Sequence, residues 1–384
     1  MGGGTGMSLS PFDDYPIHQI ADVVRHVGTS DRNFYDRYYF GCHGGRADLP
    51  YLITGLGVYP NLGVTDAFAS VRNGDDILVF RASRALGDDR ADLNVGPYRV
   101  EVVEGLKKIR VILEPGWKDA AYDISFDLTY TGEIPASLEP GHYQRQMGRV
   151  MFDTARFAQT GTWTGQLTVD GTTHELDGVN WSGNRDRSWG IRPVGEGEPA
   201  GRRATLAGGF FWLYNVISFP EYSIVFINQE DEHGNKVVSG ARRVWRDPSK
   251  GIDELGPITH DITLVPGTRE ASSAVITLGD ITIKADIVLP HYFGFGTGYG
   301  LDPDWRHGMW QGDLVVQGKR YKTAELDATL KLLCPVDNLA TFTAIENGVE
   351  THGSGLFEFG PIGPHKPSGF TGFVDTHQER DSDS

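Results

Sequence analysis

The chain has 384 residues, 39% of them hydrophobic and 22% charged, a balance that suits a soluble globular protein long enough for two domains with separate cores. Its formal net charge of −16 argues against nucleic acid or an anionic membrane surface as a partner. No run of about 18 apolar residues occurs, so no stable membrane insertion is expected. Two cysteines, Cys42 and Cys334, are too few for a disulfide framework and suit a cytoplasmic location.

The start, Met1-Gly-Gly-Gly-Thr-Gly6, lacks the basic-then-apolar pattern of a secretory signal. Residues 1–30 read as an N-terminal extension, in which Ile17, Ile20, Val23 and Val24 fall at helical spacing and predict a short helix over 17–27. From there the texture is that of strands. Segments 76–82, 98–103, 109–113 and 124–130 are short, rich in β-branched and aromatic residues, and bounded by Gly, Asn, Asp or Pro. Asn73-Gly74, Asp170-Gly171 and His233-Gly234-Asn235 mark hairpin turns. Segments 222–228, 236–238, 241–245, 258–264, 274–278 and 281–289 continue the pattern, and 326–332 reads as one more strand. Many short strands with alternating faces point to sandwiches or closed barrels.

Trp163-Thr-Gly165-Gln-Leu167-Thr-Val169-Asp-Gly171 recurs 147 residues later as Trp310-Gln-Gly312-Asp-Leu314-Val-Val316-Gln-Gly318. A His-Tyr pair precedes each copy, His142-Tyr143 and His291-Tyr292. The repeat predicts two similar halves, with Trp163, Trp310, His142 and His291 in shared packing roles. Only the first copy runs on into Gly183-Asn184-Arg185-Asp186-Arg187-Ser188-Trp189-Gly190, so one half is expected to carry a site. The Gly- and Glu-rich stretch from Val194 to Arg203 marks the boundary region or a loop beside the site. The first domain is then 31–195, the second 196–374, and 375–384 a polar, disordered tail.

On a strand, Arg185, Arg187 and Trp189 share one face while Asn184, Asp186 and Ser188 share the other. If the second face borders an apolar cavity, desolvation raises the pKa of Asp186 and makes it a usable proton donor. Otherwise Asp186 accepts hydrogen bonds and pins a turn. Arg185 or Arg187 would set its charge and orient water. Trp181, Trp189 and Trp212 have no visible repeat and, with Tyr214, are candidates to line the site, where ring faces stabilise a cation by about 0.5–2 kcal/mol each. Asn184 joins them, and His43 either lines the site or sits in a turn. No zinc-type His spacing, dinucleotide loop or Gly-x-Ser-x-Gly elbow occurs, so no metal and no cofactor are expected.

The Gly183-to-Gly190 segment, the repeated Trp-x-Gly-x-Leu-x-Val-x-Gly and the late Gly353-Ser-Gly-Leu-Phe-Glu358-Phe-Gly360 together resemble a known group. It is the two-domain lipocalin-like superfamily of AttH-type proteins, carotenoid 1,2-hydratases and fungal pericyclase-like cyclases, nearest to an actinobacterial branch with an Arg-Asp-Arg-Ser-Trp-Gly motif. The resemblance implies an all-β fold of tandem lipocalin-like (calycin-like) antiparallel β-barrels from an internal duplication, with few short helices and the ligand in or between the barrels. It implies that Asp186 protonates an alkene before water captures the cation. Asn184 and Arg185 stand where the hydratases favour Tyr or His. The expected activity is that of a cofactor-independent hydro-lyase or isomerase acting on an apolar isoprenoid or terpenoid alcohol or alkene. The alternatives are a lipid carrier and a cyclase that works by shape. Monomer and homodimer are both open. Glu358 is read as structural, pairing its charge with an Arg near Arg185.

Overall fold

The computed structural model describes residues 9–117, 123–146, 148–194 and 208–377. They form two large antiparallel sheets and very little helix. In the first sheet Asp76–Ala85, Val64–Asn73, Tyr51–Tyr59 and Phe34–His43 lie side by side, followed by Thr172–Ile191, Arg149–Val169, Ile124–Gly132, Lys108–Leu113 and Tyr98–Glu104. The sheet coils into a nearly closed barrel, because the short strand Asn94–Val95 returns against Val64–Asn73 and Asp76–Ala85. The second sheet runs Lys236–Trp245, Tyr222–Glu230, Phe210–Ser218, Val349–Ile362, Val336–Glu346, Ile281–His291, Ala271–Leu278 and Ile258–Leu264, curled into a half-barrel.

Each sheet has its own apolar core. Phe40, Leu56, Phe80, Leu128 and Trp163 fill the first, and Leu213, Phe226, Ile283, Phe342 and Phe357 the second. A further apolar layer, including Tyr39, Phe68, Phe293 and Leu339, is shared between the sheets. Strands Tyr51–Tyr59 and Tyr222–Glu230 are therefore buried over their whole length, with the barrel on one face and the opposite half on the other. The hairpin expectations hold, with the left-handed backbone such turns require at Gly74 (φ 57°), Asp170 (φ 47°) and Gly171 (φ 75°).

The duplication is real but lies elsewhere than the Trp-x-Gly repeat. In the first sheet Asp186 sits opposite Tyr39, and in the second Glu358 sits opposite Tyr214. Asp186 and Glu358 thus occupy equivalent positions, 172 residues apart. Gly183 and Gly355, each three residues before its acid, are also equivalent. A Cβ on Gly183 would lie 1.9 Å from the Gly41 carbonyl oxygen, and one on Gly355 2.3 Å from that of Val216. Glycine is what allows the neighbouring strand to approach. Trp163 and Trp310 share no such role. Trp163 is fully buried and donates from Nε1 to the Gly41 carbonyl at 2.9 Å, whereas Trp310 is 53% exposed and outside any strand. Any half-buried strand ending in a turn can produce that pattern.

Other expectations are corrected. Residues 17–27 form turns, not a helix. The Asp13 carboxylate, in the 3-10 turn Pro11–Asp14, accepts from the Val24 N–H at 2.7 Å, while Ile17 and Ile20 stay exposed without a face to bury. The expected strand at 326–332 contains the one α-helix among the described residues, Ala328–Lys331, because Asp327 caps the N–H groups of Thr329 and Leu330. Segments 236–238 and 241–245 are one strand, Lys236–Trp245. Leu314–Lys322, within the span expected for the second domain, completes the first sheet by pairing with Asp76–Ala85. Cys42 and Cys334 are buried and unpaired. The Gly-rich start, most of the Val194-to-Arg203 stretch and residues 378–384 of the tail lie outside the described residues. No described helix is long and apolar enough to cross a membrane.

Candidate active site

A cavity of about 430 Å³ opens between the two halves. Strand alternation decides what faces it. Tyr35, Arg37 and Tyr39 project from Phe34–His43, Asp186 and Ser188 from Thr172–Ile191, and Arg156 from Arg149–Val169. The second half supplies Trp212, Asp337 and Glu358. The connection before Arg149–Val169 adds Glu139 and His142, and the segment after Ile281–His291 adds Phe293, Tyr299 and His307 as a cover.

The carboxyl groups are arranged around the equivalence of the halves. Asp337 lies directly opposite Glu358 in register, so the two side chains sit on one face about 5 Å apart at Cβ. Each half reaches across to the other through a tyrosine. The Tyr39 hydroxyl donates to Asp337, and the Tyr214 hydroxyl donates to Glu139 at 2.8 Å. Glu139 also accepts from Arg156 Nε at 2.7 Å, and the Arg156 guanidinium lies over the Tyr214 ring at 4.2 Å and the Trp212 ring at 5.4 Å. Glu139 and Arg156 are therefore already matched to each other. Asp186 and Glu358 have no ion-pair partner among the described residues.

Burial pushes the Asp186 carboxyl up to about 6, opposed by the charge of Arg156 and reinforced by that of Glu139. Burial likewise pushes Glu358 up to about 7, again against Arg156 and with Asp186 adding to the rise. Asp337 is raised well above the ordinary carboxylate range by burial and by Glu358 beside it. Asp186 and Glu358 keep some surface open to the cavity, yet protein surrounds them on every side, and it is that enclosure which desolvates them. His142 is held down to about 4 by burial and by Arg156, and stacks on Phe152 at 4.5 Å. Among the described residues no group of three His, Cys, Asp or Glu side chains is placed to hold a metal ion.

The residues singled out from sequence fall into two sets. Asp186 and Trp212 line the cavity, and Tyr214 lies beneath it through Glu139 and Arg156. Arg185 and Arg187 do not reach it, since they point to the opposite face of their strand. Arg185 Nε donates to Gln159 at 2.8 Å, and Arg187 pairs with Asp36 over the Tyr38 ring at 3.8 Å. The cations that act on Asp186 are Arg156, Arg37 and Arg192 instead. Trp189 shares the Arg185 face and meets Phe157, while Trp181 belongs to the first barrel core. Asn184 is buried against Gly41, and His43 is buried edge-on to Tyr51; neither lines the cavity.

Glu358, expected to pair with an Arg near Arg185, faces the cavity instead. His142, expected to pack as the equivalent of His291, is a wall residue; His291 packs in the interior against Tyr51 and Ser70. Tyr39, Asp337 and Glu139 were not foreseen. A signal for the role of Glu358 existed in the Gly-x-x-Asp and Gly-x-x-Glu segments, whose alignment at 172 residues pairs Asp186 with Glu358. Nothing in the sequence around Glu139 distinguishes it.

The model of a family of unknown function, DUF8625, matches residues 9–371. No curated protein matches the sequence. Among solved structures, kievitone hydratase from Nectria haematococca is 14% identical over 85% of this chain and 88% of its own, with a TM-score of 0.51. An AttH-like protein of Nitrosomonas europaea is 11% identical over 87% of this chain and 95% of its own, with a TM-score of 0.50. Both share the fold.

Proposed function

For this chain, which belongs to the DUF8625 family, we propose an acid–base enzyme that adds or removes water, or shifts a double bond, in a largely apolar small molecule. The observation that carries the proposal is the pair Asp186 and Glu358, one from each half, both enclosed in a cavity and without an ion-pair partner. Two carboxyl groups that resist ionisation share protons readily at neutral pH, and groups poised near the working pH make the most effective acids and bases. In the hydration direction the Asp186 carboxyl gives its proton to an alkene carbon. The neighbouring carbon becomes cationic, flanked by the Trp212, Tyr39 and Phe293 rings. Water then bonds to that carbon while the Glu358 carboxylate takes the proton released. Dehydration runs the same steps backwards. That a neighbour in fold is a hydratase supports the reading.

The test is turnover of a panel of trisubstituted alkenes and tertiary alcohols followed by mass spectrometry, with ¹⁸O-labelled water to trace hydration. Asp186→Asn should lower kcat by about 10²- to 10⁴-fold with folding retained. An Asp186→Asn variant that turns over normally would remove Asp186 from the reaction. Tight binding without turnover of any member would leave a carrier on the same fold.

A further inference from the structure

The cavity holds cations as well as acids. Arg37 is only 4% exposed and faces the cavity from Phe34–His43. Its Nη2 meets the Tyr299 hydroxyl at 3.3 Å and His307 Nε2 at 3.1 Å. Neither partner brings negative charge, since burial and Arg37 itself hold His307 down to about 4 and burial raises the Tyr299 hydroxyl. Arg37 Nε is buried without a partner. Arg192 lays its guanidinium over the Tyr35 ring at 4.6 Å on the same wall, and its Nε is also buried and unpartnered. Among the described residues no carboxylate lies within ion-pair distance of either.

Buried Arg185 faces away from the cavity and has the Gln159 side-chain carbonyl at 2.8 Å, while other enclosed arginines are matched by carboxylates. Arg81 has Asp304 at 3.1 Å, Arg156 has Glu139 at 2.7 Å and Arg269 has Asp375 at 2.7 Å. Enclosing a guanidinium without an anion is costly, and Arg37 is nonetheless held in place. His307, which orients it, turns Nδ1 towards Asp66 at 3.5 Å, and Asp66 accepts from the Gly308 N–H at 2.8 Å. The segment covering the cavity is thereby built around Arg37.

We infer that the substrate carries an anionic group, a carboxylate or an ionised enol, which Arg37 and Arg192 bind one pleat away from the reacting carbon. The spacing follows from register. Asp186 lies opposite Tyr39, and Arg37 lies opposite Ser188, two residues along the strand or about 7 Å. The inference rests on the cavity being the reaction site and narrows its substrate to an apolar acid. A neutral terpenoid alcohol or alkene leaves Arg37 unmatched.

Two fluorescent probes of nearly the same shape test this in the intact protein: anionic 8-anilinonaphthalene-1-sulfonate and uncharged N-phenyl-1-naphthylamine. The anionic probe should bind about tenfold tighter or more at pH 7 and low salt. Arg37→Gln should erase that preference while changing affinity for the neutral probe less than about twofold. Arg192→Gln should reduce the preference in the same direction, and it decides the matter if Arg37→Gln does not fold. Equal binding of the two probes, or equal loss of both in the variants, overturns the anionic subsite. Asp186→Asn should leave the anionic preference intact or enlarge it. Failure of the acid–base reading in turnover is therefore distinguishable from failure of this one.

Discussion

At the scale of single residues, the site works through carboxyl groups that the fold refuses to hydrate. Asp186 is raised to about 6 and Glu358 to about 7, so between those values one proton is held by the two groups, and hydration draws on the smaller fraction in which Asp186 carries it and Glu358 is ionised. The rate should follow a bell with its maximum between about pH 6 and 7, falling on the acid side as both groups bind protons and on the alkaline side as both lose them. A pH profile of kcat/KM that rises steadily to pH 9 would contradict this. Stability carries the same sign. A raised carboxyl binds its proton more tightly in the folded state, so its contribution is fully present below the unfolded pKa near 4 and is lost as pH rises through the folded value. His142 and His307, lowered to about 4, act oppositely: their contribution is present above about 6.5 and lost on acidification. Asp186→Asn removes only the first effect. Its melting temperature relative to the parent should therefore climb between pH 5 and pH 8, as thermal scans at several pH values would show.

At the scale of elements, the close approach of strands determines where the acids point. Gly183 packs against the Gly41 backbone in the pairing of Phe34–His43 with Thr172–Ile191, and Asp186 follows it by one and a half pleats. In Gly183→Ala the new methyl would meet a carbonyl oxygen that cannot move without disturbing the pairing. The expected loss is about 3 kcal/mol of stability, measured by denaturant unfolding, together with weaker probe binding because Asp186 and Ser188 shift. An alanine at Gly45, whose added Cβ meets nothing within 4 Å but whose φ is 72°, would test backbone strain alone and should cost less. If the two substitutions cost the same, steric approach at Gly183 is not what sets the register.

At the scale of the whole molecule, the halves are interlocked. The strand Leu314–Lys322 belongs by sequence to the second half but hydrogen bonds along the full length of Asp76–Ala85 in the first. Arg81, fully buried on that strand, donates to Gln317 at 2.7 Å and stacks on Trp305 at 4.5 Å. Tyr39 and Tyr214 add hydrogen bonds across the gap, and Thr160 meets Ser223 at 2.6 Å. The two halves should therefore unfold in one calorimetric transition with van't Hoff and calorimetric enthalpies equal, unlike independent domains. Two well-separated transitions would show that these crossings are too weak to couple the halves.

The sequence by itself determined the all-β character, because alternation, β-branched content and turn residues are local properties that each strand carries with it. It also placed Asp186 and Ser188 on one face and Arg185 and Arg187 on the other, since a strand of period two leaves no choice. The tertiary structure alone decided which of those faces borders a cavity. It decided that Glu358 stands as the counterpart of Asp186, because equivalence was a matter of strand register and not of the repeated Trp. It also decided that Tyr39, Asp337, Glu139 and Arg37 converge there, for these residues come from distant segments whose meeting depends on how two curved sheets pack. Proton affinity in the site is a property of that packing: the same Asp on an open strand would ionise like any other.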